Sequence, residues 1–542
     1  MILYATTGKI MNKRVKLVVS MSILVSVLSI ISQSALGCFA VVVGKDASTD
    51  GSVLVGHNEQ NSGQRFLNFR KIPRLKHKPG EKIITKDGQS IPQAEETYAY
   101  LWSENPGCTS SDAYINEYGV AIVSDFCPDR GQDLEQLKKD GQIKGADLGY
   151  LLRRIIIQRA KTAREGVEVA GKLIDKLGYT SSRSFVIADQ NEAWIMAVTQ
   201  GKQWVAERVR DDQVALLPNV YTIGDINFKD KTNFIYSKNL VSYAEKQGWY
   251  NPEKNKAFNF SKVYSEPRKQ LMDPRHWVAK QLVTQKKIPR TPDKRLEFSV
   301  KPSHKLNVSD VAEILRYTQN DSYIPEMYKI MTENGKKFTP PKDWVYRDIC
   351  IPRTQEGAVF QLTPNLPPAI GCIYWRTSAE PKTSVLLPWY VGITKTPKSY
   401  YYSGKLKNIL SEKNHYSPDF YDYSPNYKKT WWVFKKLQDE VNKDTEIRTV
   451  YVRDKWNKFE SKLYKEQPKI QAKALQIYKK VKQAAERYLT EYCDETSKKA
   501  EAEARKLIEH FEKIAKSNKK IKPEIKAAPI HGGDASLVSG QN

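Results

Sequence analysis

Signatures of metal binding are scarce in this chain of 542 residues. Its seven histidines are scattered, with no HExxH, and its six cysteines lack zinc-ligand spacing, which excludes the common metallohydrolase and zinc-finger plans. No metal or organic cofactor is expected. No RNA-binding sheet motif accompanies the formal charge of +26, so nucleic acid is not an expected partner. After residue 37 no run of about 18 apolar residues occurs, which leaves no membrane span in a chain that has lost its leader. Internal repeats are absent too.

What is present describes a globular protein: 40% of residues are hydrophobic and 11% aromatic. The 87 Lys and Arg exceed the 61 Asp and Glu. Much of that excess lies near the C-terminus, interleaved with Glu as in "KKAEAEARKLIEHFEKIAKSNKK", the pattern of solvated helices. A docking surface is the alternative reading of this region.

The first 37 residues hold no Asp or Glu. Lys13, Arg14 and Lys16 precede an apolar stretch from Leu17 to Ile31, and Ala35-Leu36-Gly37 fits small-x-small cleavage, so residues 1–37 read as a signal peptide with Met11 as its start. Export to periplasm or medium follows. A lipoprotein signal usually places Leu three residues before its Cys and a small residue two before, where this chain has Ala35 and Leu36. Cleavage after Gly37 makes Cys38 the first residue. A thiol with a pKa near ~8.5 is mostly protonated at neutral pH. An N-terminal amine, with a reference pKa of ~7.7–8.0, is a base tethered to that thiol, and Cys38 is therefore the candidate nucleophile. Of the remaining cysteines, Cys108 with Cys127 and Cys350 with Cys372 are candidate bridges by proximity in sequence.

Strands are expected at 39–43 and 52–56, joined by the turn "GKDASTDG", and at 98–102, 113–116 and 120–124. Asp147 caps one expected helix, and Thr162 with Glu165 forms a capping box for another that stops at Gly178. Strands return at 184–188, 193–198, 203–209, 358–362, 372–376 and 384–387, while the polar stretch 226–302 reads as helices and loops. Residues 426–517 are helical and 518–542 a disordered tail, leaving 38–425 as one large catalytic unit, an α+β layered sandwich.

The opening "CFAVVVGKDASTDGSVLVGHNEQNS" resembles that of the dipeptidase A family of cysteine peptidases, which are N-terminal-nucleophile hydrolases related to penicillin V acylase and bile salt hydrolase. The likeness continues through "INEYGVAIVSD", "RAKTAREGVEVAGKLIDKLGY", "IADQNEAWIMAV", "LPNVYTIGDIN", "SVLLPWYVGIT" and "TWWVF". It implies a four-layer αββα sandwich with a helical C-terminal extension, and hydrolysis of small peptides, dipeptides first. Cys38 carries over as nucleophile. Asn219 is the first candidate for holding an oxyanion and Asn116 the second, with a turn role as the alternative for Asn116. The family usually has Arg and Asp where this chain has His57 and Gln60 in "GHNEQ". His57 can orient the nucleophile as a donor, though not as a permanent cation. An amidase of non-peptide N-acyl amides, or an inactive envelope-binding protein, are the competing readings.

Overall fold

The computed structural model describes residues 37–61, 65–85, 87–108, 112–144, 148–268, 271–342, 344–418 and 424–517. The leader up to residue 36, the Asp147 cap and the tail from 518 lie outside them.

In chain order, β1 (Phe39–Val43) and β2 (Val53–Gln60) form a hairpin; β3 (Asn68–Ile72), β4 (Tyr100–Glu104), β5 (Ala113–Asn116) and β6 (Ala121–Phe126) follow. Helices α1 (Leu148–Arg159) and α2 (Ala163–Leu177) lead into β7 (Arg183–Ala188), β8 (Ala193–Val198), β9 (Trp204–Arg208), β10 (Val214–Leu217) and β11 (Phe234–Tyr236). Then come α3 (Pro274–Thr284), β12 (Ser299–Val300), α4 (Val308–Arg316), β13 (Thr354–Leu362), β14 (Cys372–Arg376) and β15 (Leu387–Tyr390). The chain continues through α5 (Thr430–Val441), α6 (Thr445–Lys480) and α7 (Lys482–Ser517).

Two antiparallel sheets result. One is seven-stranded in the order β12-β10-β1-β2-β13-β14-β15, the other eight-stranded in the order β11-β9-β8-β7-β6-β5-β4-β3. Strand alternation assigns their faces. In β8, Ala193, Ile195 and Ala197 join the core shared with the seven-stranded sheet, whereas Trp194, Met196 and Val198 join a second core with α1 and α2. On the far side, α4 covers β2 and β13, and Gly56 permits its approach: a Cβ there would stand 2.5 Å from Val311 Cγ1. The layers are thus helix, sheet, sheet, helix, the αββα arrangement that the resemblance implied.

Local signals explain most boundaries. Thr162 accepts the Glu165 N–H to start α2, and Gly178 at φ 77° ends it. The last expected strand is displaced. Residues 384–386 lie against α6, with the Ser384 carbonyl accepting from Arg453 and the Leu386 N–H donating to Glu460, so β15 begins only at Leu387. The expected disulfides are also corrected, since Cys127, Cys350 and Cys372 are free thiols. Cys372 pairs with Leu362 at the turn of the β13–β14 hairpin, while Cys350 lies beyond the opposite end of β13, its thiol against Glu380. Cys127 donates to Ser184 Oγ and Cys108 to Asn61 Oδ1.

The helices after Thr430 pack on the sheets. Trp431 of α5 donates to the Gln355 carbonyl of β13. Glu460 of α6 is 2% exposed and accepts from Arg316 of α4, from the Leu386 N–H and from Arg453. No described helix is long and apolar enough to cross a membrane.

Removing Glu460 would leave Arg316 and Arg453 buried with reduced compensation. Glu460→Ala is expected to lower the unfolding free energy by about 3–5 kcal/mol in urea titration, whereas Lys462→Ala, on the exposed side of the same helix, changes it by less than about 0.5 kcal/mol.

Candidate active site

Cys38 directly precedes β1, a strand bonded on both edges, to β2 and to β10. Phe39 pairs with Asn58 and Ala40 with His57, so the next step of the ladder sets Cys38 beside Glu59. Its Sγ lies 3.7 Å from Glu59 Oε1. The pleat of β2 sorts its neighbours: Asn58 and Gln60 turn outward and donate to the carbonyls of Leu315 and Ile349, while His57 and Glu59 turn toward the other sheet. Gln60, one of the two departures from the family pattern, therefore presents its side chain away from the thiol.

His57 spans the gap between the sheets, its Nε2 3.2 Å from Asp125 Oδ1 on β6, both side chains buried. Burial opposes the imidazolium, but the hydrogen bond and charge of Asp125 outweigh it, helped by Glu59 and Glu356, and the His57 pKa rises above its usual 6.5. Cys38, His57 and Asp125 each place one donor atom within 4.8 Å of the others. Three side chains of metal-ligating type converge here alone among the described residues, and the His57–Asp125 hydrogen bond already occupies two of them. The Cys38 thiol is raised well above its ordinary range, first by burial and then by the charges of Glu59 and Asp125, against the Gln60 N–H and Arg183.

The other wall is built by Asn219, just after β10, and by Arg275 in the first turn of α3. Asp273 caps α3 and grips Arg275 through both carboxylate oxygens, at 3.1 and 3.0 Å. Each partner stabilises the other's charge against burial, the carboxyl shifting down and the guanidinium up. Arg275 Nη1 then donates to two acceptors, the Cys38 carbonyl and Asn219 Oδ1, both at 3.0 Å. Asn219 Nδ2 donates to the Phe126 carbonyl at 2.8 Å.

Of the candidates from sequence, Cys38, His57 and Asn219 converge and Asn116 does not. Asn116 is spent on the β5–β6 turn: its Oδ1 accepts from Tyr118 and Val120, and its Nδ2 donates to the carbonyls of Ile157 and Ala160 beneath α1. It is a turn residue, which corrects its reading as a second oxyanion donor. Glu59, Asp125, Asp273 and Arg275 were not foreseen. "DPR" at 273–275 did carry a helix-start signal, Asp at the cap and Pro behind it, but nothing local tied that cap to Cys38.

Because Asp125 raises the His57 pKa, their pairing adds stability in full below pH 6.5, and that stability is lost as pH rises through the higher folded value. The unfolding free energy of the wild type minus that of His57→Gln is therefore expected to shrink from pH 6 to pH 9 in denaturant titrations at stepped pH.

Comparison with known proteins gives the site its context. A probable dipeptidase of Latilactobacillus sakei is 27% identical over 396 residues, covering 70% of this chain and 78% of its own. A probable dipeptidase B of Streptococcus pyogenes serotype M1 is 27% identical with the same coverage, and a probable dipeptidase of Salmonella dublin is 27% identical over 66% of this chain and 82% of its own. A solved Caenorhabditis elegans N-acylethanolamine-hydrolyzing acid amidase ortholog, 11% identical, covers 61% of this chain and 94% of its own at a TM-score of 0.26, too loose a match to bear on the site. The sequence matches peptidase family C69 across residues 37–449, and the chain belongs to that family.

Proposed function

We propose that this protein is an exported dipeptidase in which signal cleavage after Gly37 makes Cys38 both the nucleophile and, through its own amine, the base. The observation that carries the reading is the Arg275 fork. One guanidinium nitrogen holds the Cys38 backbone and the Asn219 amide together, at the buried start of a central strand. The family match opening at residue 37 supports it further.

With Gly37 still attached, the Cys38 nitrogen is an amide and has no basicity, and burial beside Glu59 and Asp125 keeps the thiol protonated. Cleavage supplies an amine on the same residue, with the Glu59 carboxylate to favour its protonated form. The amine takes the thiol proton and the thiolate attacks the scissile carbonyl carbon, forming a C–S bond while the carbonyl electron pair moves to oxygen. Asn219 spends one amide hydrogen on Phe126 and has a second to offer that oxyanion. On collapse the C–N bond breaks, the departing amine takes the proton from the α-ammonium, and a thioester remains. Water, deprotonated by the same amine, then releases the first amino acid and restores the thiol. Arg275 acts through what it holds and is a positioning residue.

N-terminal sequencing of the secreted protein is expected to begin at Cys38 with a free amine. In that protein Cys38→Ala should cut dipeptide turnover by at least about 1000-fold, and Asn219→Ala should lower kcat by about 100- to 1000-fold. A chain starting at Phe39, an acylated Cys38, or undiminished hydrolysis by Cys38→Ala would overturn the proposal. Faster turnover of N-acyl amides than of dipeptides would redirect the substrate but not the mechanism.

A further inference from the structure

A cavity of about 710 Å3 begins one residue away from the fork just described: its walls include Val220, which follows Asn219, and His276, which follows Arg275. Of its acidic and cationic wall residues, Glu207 and Arg295 are the two that are half-buried. Glu207 lies on β9, next to Ala206 of the outer core, so alternation turns it to the side of Val205, toward the opposite sheet. Burial pushes its carboxyl up to about 8, with Arg210 the only opposing influence. Arg295 enters from the loop before β12, its guanidinium destabilised by burial and by Arg268, and it lies close enough to Cys127 to feel its charge. Cys127 adjoins Phe126, whose carbonyl accepts from Asn219.

Neither Glu207 nor Arg295 has a side-chain hydrogen bond or ion pair among the described residues, and they do not pair with each other. The wall's other acidic and cationic residues, Asp225, Lys262, Asp293, Lys294 and Glu297, are exposed to solvent. Deeper in, Thr222 is only 9% exposed and its Oγ1 has no partner. Buried His276, lowered to about 4, stays neutral and competes for neither charge. Leu271, Leu296 and Phe298 supply apolar wall. Burial keeps the Glu207 carboxyl protonated and leaves the Arg295 guanidinium uncompensated, and a ligand would relieve both, an ammonium by favouring the carboxylate and a carboxylate by pairing the guanidinium.

We propose that this cavity receives the two free ends of a dipeptide, the α-ammonium at Glu207 and the α-carboxylate at Arg295. The assignment rests on the dipeptidase reading, and it explains how such an enzyme would refuse longer chains. Two extended residues span about 7 Å, so the scissile carbonyl lies between two ends whose positions are both fixed. A third residue, an acetyl cap or a C-terminal amide would leave one charged wall group without its complement, the kind of mismatch a polar site discriminates most strongly.

The test is calorimetric binding to full-length mature protein carrying Cys38→Ala, which halts turnover, with alanyl-phenylalanine, its N-acetyl form and its C-terminal amide as probes. The parent is expected to bind the free dipeptide at least about tenfold more tightly than either blocked form. Adding Glu207→Gln should weaken the free dipeptide and erase discrimination against the acetyl form alone. Arg295→Gln should do so against the amide alone, and Arg295→Lys should restore part of it. Matching melting temperatures confirm that each variant is folded. Equal affinity for free and blocked forms in the parent, or unchanged affinity in either Gln variant, would overturn the assignment. If the expected pattern appears while wild-type protein hydrolyses no dipeptide, the cavity assignment stands and the dipeptidase reading falls.

Discussion

Everything at the site depends on β1 running through the middle of a sheet. A strand bonded along both edges has almost no freedom left in its backbone, and the residue that precedes it inherits that rigidity. The pairing Phe39–Asn58 fixes Glu59 as the neighbour of Cys38, and the pairing Ala40–Leu217 delivers Asn219 two residues past the end of β10. Arg275 then bolts the two together from a helix start whose own cap, Asp273, neutralises it. The Cys38 thiol, the Glu59 carboxylate and the Asn219 amide are thus positioned by ladder register, the kind of support under which small distances hold.

Sequence reading succeeded where the chemistry was local. The β1–β2 hairpin, the Thr162 cap, the Gly178 stop and the alternation of β7 and β8 each declare themselves within a few residues. It failed where meaning came from partners far along the chain. β10 is four residues long, "VALL", too short to show a period, although it is the strand that brings Asn219 to Cys38. Asp125 reads as an ordinary polar residue at the end of β6 until the two sheets face each other. Asn116 shows the converse error. An Asn three residues before a Gly has a complete local explanation, and the turn together with the end of α1 takes all of its hydrogen-bonding capacity.

The substitution pattern at 57–60 also has a spatial logic. His57 and Gln60 point to opposite faces of β2, so the two departures from the family act in different places. Gln60 ties the sheet to the Ile349 segment behind it, while His57 keeps a proton-carrying group opposite Asp125 in the gap. A guanidinium in that gap would be permanently charged; an imidazole makes the local field depend on acidity, in a space where the only compensation is carboxylate.

The ladder between β2 and β13 joins Val53 to Leu362 and Gln60 to Thr354, positions roughly three hundred residues apart, a separation that belongs to slow-folding topologies. The hairpin that follows Cys38 thus spends most of synthesis with one edge open, waiting for a strand not yet made. Leu362 lies about two thirds of the way along the 542-residue chain, so the sheet beside Cys38 stays incomplete until then, and the cleavage proposed before Cys38 would have that interval in which to occur.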